Sequence, residues 1–219
     1  MRIALGTALL CFTLIIGKYT SAQNEDFGIW LDAESYKQIG PYRLAVCSEF
    51  YTNNNNQSID RFSIGADGTR ELMPFLNFGA GYLMMNKNRT DRYEIRHRFY
   101  TTATANGKIS NLNFSFRERL QLTSYPRNET EAQKSLLYWR NRVKVSYQIL
   151  SCKITPRLGV ETFLLLNRNT LSKRLDEVRY NLSAAYPLTP SSQIELYGLL
   201  SKMSNLSQYI LGVIYLIEI

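Results

Sequence analysis

The chain is poor in the residues that bind metals: it has one histidine and three cysteines among 219 residues. A structural zinc site needs about four nitrogen or sulfur ligands, and no cluster of that kind occurs. No Gly-rich phosphate loop is present, and the 26 Lys and Arg are spread along the chain rather than gathered in one patch. These absences argue against nucleotide cofactors and nucleic-acid binding. We therefore predict no cofactor, no metal and no nucleic-acid partner.

Long apolar runs are also scarce. The longest, residues 3–16, follows a basic start and precedes small residues at 20–22, which predicts a secretory signal peptide, residues 1–22, cleaved after Ala22. Cleavage removes two bases and no acid, so the formal net charge falls from +8 to +6 (24 bases minus 18 acids). Residues 23–219 hold no apolar run of the roughly 20 residues that a membrane helix needs. They are predicted to form one domain that is periplasmic, secreted or an outer-membrane β-barrel.

Two cysteines, Cys47 and Cys152, remain in the predicted mature chain. An oxidising compartment permits a disulfide. However, Cys47 falls in the middle of a predicted strand and Cys152 in a predicted turn, which disfavours a bridge between them.

Apolar and polar residues alternate with a period of two from residue 26 to the end, which predicts strands rather than helices. Most of the segments have the length of a tilted strand that crosses a bilayer, and tight turns alternate with longer polar connections, as in outer-membrane barrels. Asn106-Gly107 is the strongest hairpin signal. We predict an all-β, transmembrane, antiparallel up-and-down β-barrel of 10 to 12 strands. The eleven candidate strands are residues 26–36, 42–52, 59–71, 75–85, 92–104, 111–123, 137–147, 157–166, 177–184, 193–201 and 208–219.

The last segment, residues 208–219, is apolar and has no polar tail, so it suits the closing strand of a barrel better than a sheet edge in water. Ten strands from residue 42 onward close evenly. The segment 26–36 is then either an eleventh strand or an N-terminal piece at the rim or inside the barrel, and the sequence leaves these alternatives open.

The polar row of the strands is rich in long charged side chains. It holds eleven bases and six acids, namely Arg43, Glu49, Arg61, Asp67, Glu94, Arg96, Arg98, Arg117, Arg119, Arg140, Arg142, Lys144, Arg157, Glu161, Glu177, Arg179 and Glu195. In a membrane barrel these side chains line the lumen, whereas in a soluble barrel, such as a periplasmic binding protein, they face water. Many Phe, Tyr and Trp residues on the other row are too bulky for a small interior, which favours the membrane orientation. The lumen is then a neutralised structural network or a narrow, anion-preferring pore.

An enzymatic function has little support in the sequence. The only histidine, His97, falls on the apolar row, where it would act as the general base of a lipid-modifying barrel enzyme, an esterase or acyltransferase. No serine on an adjacent strand stands out as its nucleophile, so we predict a protein that is not an enzyme.

The expected surroundings are those of a bacterial outer membrane. The predicted partners are the lipid bilayer, the outer-membrane assembly machinery and lipopolysaccharide, whose phosphates would meet bases in the connections. Those bases are Lys87, Arg89, Arg127, Lys134, Arg168, Lys173 and Lys202.

Several motifs together resemble the domain of unknown function 2490 family of bacterial exported proteins. They are Phe27-Gly28-Ile29-Trp30-Leu31, the 44–50 strand with Glu49, Phe78-Gly79-Ala80-Gly81-Tyr82, Arg96-His97-Arg98 and Arg117-Glu118-Arg119. The resemblance covers about residues 26–219 and implies an outer-membrane-type β-barrel, with no activity or site residues to carry over. One departure is the end of the chain, which is Leu216-Ile217-Glu218-Ile219 instead of the aromatic residue usual in such barrels.

Overall fold

The computed structural model describes residues 24–89, 92–125, 135–167 and 175–219, and the side chain of Asn24 is not among the features described. These residues form an all-β structure in which none builds a helix long and apolar enough to cross a membrane. The strands are β1 (Asn24–Ile39), β2 (Tyr42–Asn53), β3 (Ser58–Met73), β4 (Leu76–Asn88), β5 (Tyr93–Ile109), β6 (Leu112–Ser124), β7 (Leu136–Tyr147), β8 (Thr155–Leu165), β9 (Leu175–Thr189), β10 (Ser192–Met203) and β11 (Leu206–Glu218).

The eleven strands close into one barrel in which neighbours along the chain pair antiparallel. The predicted all-β, antiparallel up-and-down barrel of 10 to 12 strands is thus confirmed. The segment at residues 26–36 is a full strand, because β1 lies between β2 and β11. An odd number of alternating strands brings the first and last into the same direction, so β1 pairs with β11 in parallel, from Asn24 opposite Leu206 to Tyr36 opposite Glu218.

The two faces of the barrel differ sharply in polarity. Large apolar side chains are exposed on the outer face of every strand, for example Leu31, Phe62 and Ile95 at 44%, 50% and 53% exposure. The row that alternates with them points inward and contains charged residues, glycines and aromatic rings, among them Glu94, Arg140 and Trp30, each less than 9% exposed. Alternation along a strand sends successive side chains to opposite faces, and closure turns those faces into an exterior and a lumen.

The turns depend on residues that tolerate a left-handed backbone. Asn54, Asn55 and Asn56 all have φ between 52° and 64°, which Asn adopts more readily than other side-chain-bearing residues. They form the turn between β2 and β3. Gly40, with φ of 56°, begins the turn between β1 and β2.

The hairpin signal at Asn106-Gly107 predicts the wrong position for the next turn. Both residues lie within β5, where Asn106 pairs with Ser115 and Gly107 with Phe114. The chain reverses three residues later at Ser110, which has φ of 53°. Because β5 and β6 gain further ladder hydrogen bonds by extending to Ile109 and Leu112, cross-strand pairing outweighs the local turn preference.

Other sequence expectations have mixed outcomes. Cys47 and Cys152 are both free thiols. Lys87 is not a loop base, because it lies in β4 and forms an ion pair with Asp60 across the strands. Lys202 lies in β10. The predicted signal peptide and the loop bases Arg127, Lys134, Arg168 and Lys173 lie outside the described residues.

Glycines on the inner face make room for tyrosine rings of the neighbouring strand. A Cβ added at Gly212 would lie 2.0 Å from the Tyr197 ring, and one at Gly81 would lie 2.4 Å from the Tyr100 ring. Each glycine is the register partner of its tyrosine. Both glycines therefore have a packing reason, because a larger residue at either position would collide with a tyrosine ring.

Replacing Gly212 by alanine should destabilise the barrel, because the new methyl group overlaps a ring packed in the lumen. Overpacking of this kind costs about 1–3 kcal/mol. The change is measured as a lower midpoint of urea unfolding, followed by tryptophan fluorescence, since Trp30 packs in the same cluster as Tyr197. Gly107→Ala is the matched control, because a Cβ there meets nothing within 4 Å. Equal midpoints for the two variants would contradict the prediction.

Candidate functional site

The lumen is the candidate site, because the charged row converges there and its side chains pair across strands. Most of the acids predicted to line it are in ion pairs. The observed pairs are Arg61–Glu49, Arg96–Glu94, Arg117–Glu161, Arg140–Glu161, Arg157–Glu195 and Arg179–Glu177. The remaining predicted acid, Asp67, accepts a hydrogen bond from the Tyr100 hydroxyl at 3.4 Å. The lumen is therefore cross-linked by side chains.

A stack of cations and rings crosses the lumen. Trp30 on β1 lies face to face with Tyr51 on β2, with ring centroids 4.1 Å apart and planes within 1°. The Arg61 guanidinium lies 4.2 Å from the Tyr51 centroid on the far side of this ring pair. We call the set of Arg61, Tyr51, Trp30, Arg179, Phe163 and Arg140 the lumenal stack.

The other half of the lumenal stack runs from β1 to β7. The Arg179 guanidinium lies between two rings, 5.1 Å from the Trp30 centroid and 4.4 Å from the Phe163 centroid. Arg140 covers the same Phe163 ring at 4.2 Å. Each such contact is worth roughly 0.5–2 kcal/mol depending on desolvation. Because β3 and β7 are not neighbours in the eleven-strand ring, the stack bridges separate parts of the lumen wall.

Asp32 connects the lumenal stack to the region where β1 and β11 pair in parallel. Its carboxylate accepts hydrogen bonds from the Tyr51 hydroxyl at 3.0 Å and from the Tyr197 hydroxyl at 3.1 Å. Tyr197 in turn packs with Trp30, Tyr51 and Ile210 in the buried cluster. These contacts join β1, β2 and β10, so they hold the strands on both sides of β11 and β1.

Glu161 is the anionic centre of the opposite wall. One of its oxygens accepts bonds from Arg117 at 2.6 Å and from Arg140 at 3.2 Å. Arg140 also donates to the Gln121 side chain at 2.7 Å. A third base, Arg142, is the register partner of Glu161 on β7. One carboxylate is therefore the shared counter-charge of a cluster of guanidinium groups.

Four predicted bases are in no ion pair. Among the described residues, no carboxylate lies within ion-pair distance of Arg98, Arg119, Arg142 or Lys144. Arg98 contacts the Thr123 hydroxyl at 3.4 Å, and Arg119 lies 4.1 Å from the Tyr100 ring centroid. The inner wall of β5 to β7 is therefore electropositive.

Two cavities open in the barrel. One, of about 280 Å³, is bounded by the lumenal stack and extends from Cys47 in the middle of β2 to Lys87 and Tyr125 near the loops. The other, of about 420 Å³, lies at the end with the short turns and includes Lys144 and Arg157. We call the first cavity the arginine chamber.

Several residues of the site are missing from the set predicted from the sequence. Glu34 pairs with Arg43, and Asp32 is the acceptor for two tyrosines. The inward aromatic residues Trp30, Tyr51 and Phe163 complete the lumenal stack. Strand parity places all of them on the polar row, so the alternation alone contained the signal. Their mutual stacking depends on which strands face each other across the barrel.

His97 lies on the outer face, as its parity predicts. Its Nδ1 is 2.7 Å from the Tyr82 hydroxyl. Ser124 on β6 is the register partner of His97, and its hydroxyl donates to the His97 main-chain carbonyl at 3.3 Å. Nothing in the sequence pattern singles out this serine. Among the described residues, no group of three or more His, Cys, Asp or Glu is arranged to hold a metal ion.

Replacing Glu161 by glutamine should destabilise the barrel strongly, because Arg117 and Arg140 would lose their carboxylate while remaining enclosed. Removing one partner of a buried ion pair costs about 3–5 kcal/mol. Urea unfolding of the purified variant measures the loss. Glu71→Gln, at an exposed position on β3, is the control and should change stability by no more than about 0.5 kcal/mol. A variant as stable as the control would show that Glu161 is dispensable.

Comparison with known proteins assigns the fold to a family without assigning an activity. No curated protein matches the chain. The family described as "Protein of unknown function (DUF2490)" matches residues 27–207, which include most of β1, all of β2 to β10 and the whole of the lumenal stack. The match covers most of the sequence and bears out the resemblance seen in its motifs. The chain belongs to the DUF2490 family.

Proposed function

We propose that this protein is a β-barrel of the bacterial outer membrane whose lumen is closed by side chains, with at most a narrow passage that prefers anions. The observation that carries the proposal is the exposed apolar exterior present on all eleven strands. Exposed apolar surface is unfavourable in water by about 25 cal/mol per Å². A bilayer supplies the matching solvent, and a closed barrel leaves no unpaired edge inside it.

The sequence provides independent support for this location. The signal-peptide pattern of residues 1–22 directs export, and strands of 11 to 17 residues are long enough to cross a bilayer when tilted. The proposed partners are the bilayer, the assembly machinery and, at the loop end, lipopolysaccharide. A soluble periplasmic barrel would instead have to keep aromatic residues such as Phe62 and Phe99 half exposed to water.

The contents of the lumen favour a structural barrel over an open pore. The lumenal stack spans from β3 to β7, and ion pairs occupy the space around it. Bases outnumber acids in the predicted lumen set by eleven to six. A route that remains between these side chains therefore favours anions.

A catalytic role for His97 has weaker support. Tyr82 orients the imidazole, and the register places Ser124 beside it. However, the Ser124 hydroxyl bonds to a main-chain carbonyl and not to the imidazole. A nucleophile needs a hydrogen bond to its base, so this arrangement does not form a catalytic pair.

Placing an arginine on the outer face distinguishes a bilayer from water. Val143 is 50% exposed in the middle of β7. In a bilayer, Val143→Arg should cost about 2–4 kcal/mol, whereas an exposed site in water tolerates the change within about 0.5 kcal/mol. The measurement is urea unfolding of protein folded into lipid vesicles, with folding read from heat-modifiable gel mobility. Leu150→Arg, in the β7–β8 connection at 85% exposure, should be neutral, and equal stability of both variants would refute membrane insertion.

Removing the central ring of the lumenal stack should open the lumen. Phe163→Ala leaves Arg140 and Arg179 in place but removes the ring between them, so we expect a larger current with anion selectivity in planar bilayers. The reversal potential in a salt gradient gives the selectivity. Phe62→Ala, which removes an outer-face ring, should conduct like the original protein. A cation-selective current, or no change on removing Phe163, would contradict the proposed occlusion.

A further inference from the structure

We propose that the arginine chamber is a binding site for one small oxyanion, a phosphate or carboxylate group held chiefly by Arg98 and Arg119. This proposal rests on the proposed function, a closed barrel whose lumen is filled by side chains, and adds a ligand to that lumen.

The charge around the chamber is strongly unbalanced. Seven basic side chains line it, and only two acids do. Five of the bases have a carboxylate partner, inside or just outside the lining: Arg61–Glu49, Arg179–Glu177, Arg96–Glu94, Arg140–Glu161 and Lys87–Asp60. The other two, Arg98 and Arg119, have no such partner among the described residues, so their charge remains in an enclosed space, where Coulomb interactions are stronger than in water.

The unpaired charge is concentrated on one wall. Arg98 and Arg119 line the chamber without a carboxylate at ion-pair distance among the described residues. In addition, Arg119 stands directly opposite Arg140, and Arg117 directly opposite Arg142, across β6 and β7. Like charges placed directly opposite each other destabilise a sheet. Glu161 neutralises Arg117 and Arg140, but Arg119 has no carboxylate of its own among the described residues, so a bound anion would relieve its repulsion with Arg140.

Hydrogen-bond donors also point to a ligand. The Nε atom of Arg119, the Nε atom of Arg61 and one Nη atom of Arg96 are enclosed and have no acceptor within the described part of the chain. All three side chains line the chamber. Buried donors are usually paired, and leaving one unpaired costs about 1–3 kcal/mol. An oxyanion supplies several acceptors at once and suits the fork geometry of guanidinium groups.

The size of the chamber limits the ligand. Its volume of about 280 Å³ lies just below the range of roughly 300–1,000 Å³ for small-molecule pockets. A phosphate ion, a phosphate monoester headgroup or a short dicarboxylate fits these dimensions. The aromatic Tyr100 and Tyr138 beside the bases limit the space further, so a nucleotide is excluded.

Binding is tested on the purified, detergent-folded full-length protein by titration with inorganic phosphate and, in parallel, with succinate. Sodium chloride keeps the ionic strength constant, and the thermal unfolding midpoint and calorimetric heat are recorded. We expect saturable binding of at least one of the two anions, with a rise in the unfolding midpoint. The anion that raises the unfolding midpoint more shows whether the site prefers a phosphate or a carboxylate group.

The double variant Arg98→Gln/Arg119→Gln should weaken that binding at least tenfold. Without added anion it should be at least as stable as the original protein, because it removes repelling charges and no ion pair. Arg70→Gln is the matched control, since Arg70 is exposed near the turn end of β3, next to Tyr42 and outside the chamber; its binding should be unchanged. Each single variant is measured in the same way, so a folding defect in one does not decide the outcome.

Three results would overturn the proposal: no saturable heat with either anion, a midpoint shift that sodium chloride reproduces, or unchanged binding by the double variant. Heat-modifiable gel mobility is recorded on the same samples. A folded barrel that fails to bind rejects the chamber as a site and leaves the proposed membrane barrel intact. Loss of the folded band in the original protein would instead reject the barrel in detergent.

Discussion

In a closed sheet each side chain points either outward or into the lumen, and the structure depends on how the charges inside the lumen are neutralised. Long bases and acids that point into a narrow lumen cannot all be hydrated, so they must pair with one another or with rings. The lumenal stack solves this problem for three arginines at once, since each guanidinium there covers an aromatic face and contacts a carboxylate. Charged side chains and aromatic rings thus fill this interior, whereas aliphatic side chains fill the core of a soluble domain.

The stack also explains features that look unrelated along the chain. Tyr51 both stacks on Trp30 and donates to Asp32, and Asp32 receives a second bond from Tyr197. Tyr197 occupies its place because Gly212 opposite has no side chain. A glycine in β11, an acid in β1 and a tyrosine in β10 therefore belong to one packing unit. This unit spans the parallel β1–β11 seam, where the chain has no hairpin to hold the strands together.

Neutralisation is incomplete on the wall formed by β5, β6 and β7. Glu161 is shared by two arginines, whereas Arg98 contacts a hydroxyl and Arg119 a ring, and neither has an acid at ion-pair distance among the described residues. A purely structural network gains nothing from unpaired cations in an enclosed space. The excess is therefore the feature of the lumen that is hardest to explain by stability alone, and it is the basis for assigning a ligand to the arginine chamber.

The alternation of residue types determines much of this protein before any contact is known. A period of two over eleven segments predicts strands, and its segregation of apolar from charged residues predicts a sheet with unlike faces. The alternation along each strand also places Asp32, Trp30 and Phe163 on the inward-facing row. Turn positions follow less well: Asn106-Gly107 is a local turn signal that lies inside β5, because pairing with β6 continues past it. Only the tertiary structure decides that β1 closes the barrel in parallel with β11, since closure depends on strand number and not on local pattern. It alone brings Arg61 and Arg140, from β3 and β7, to the two ends of one stack, because neighbours across a lumen are distant in sequence and leave no periodic trace.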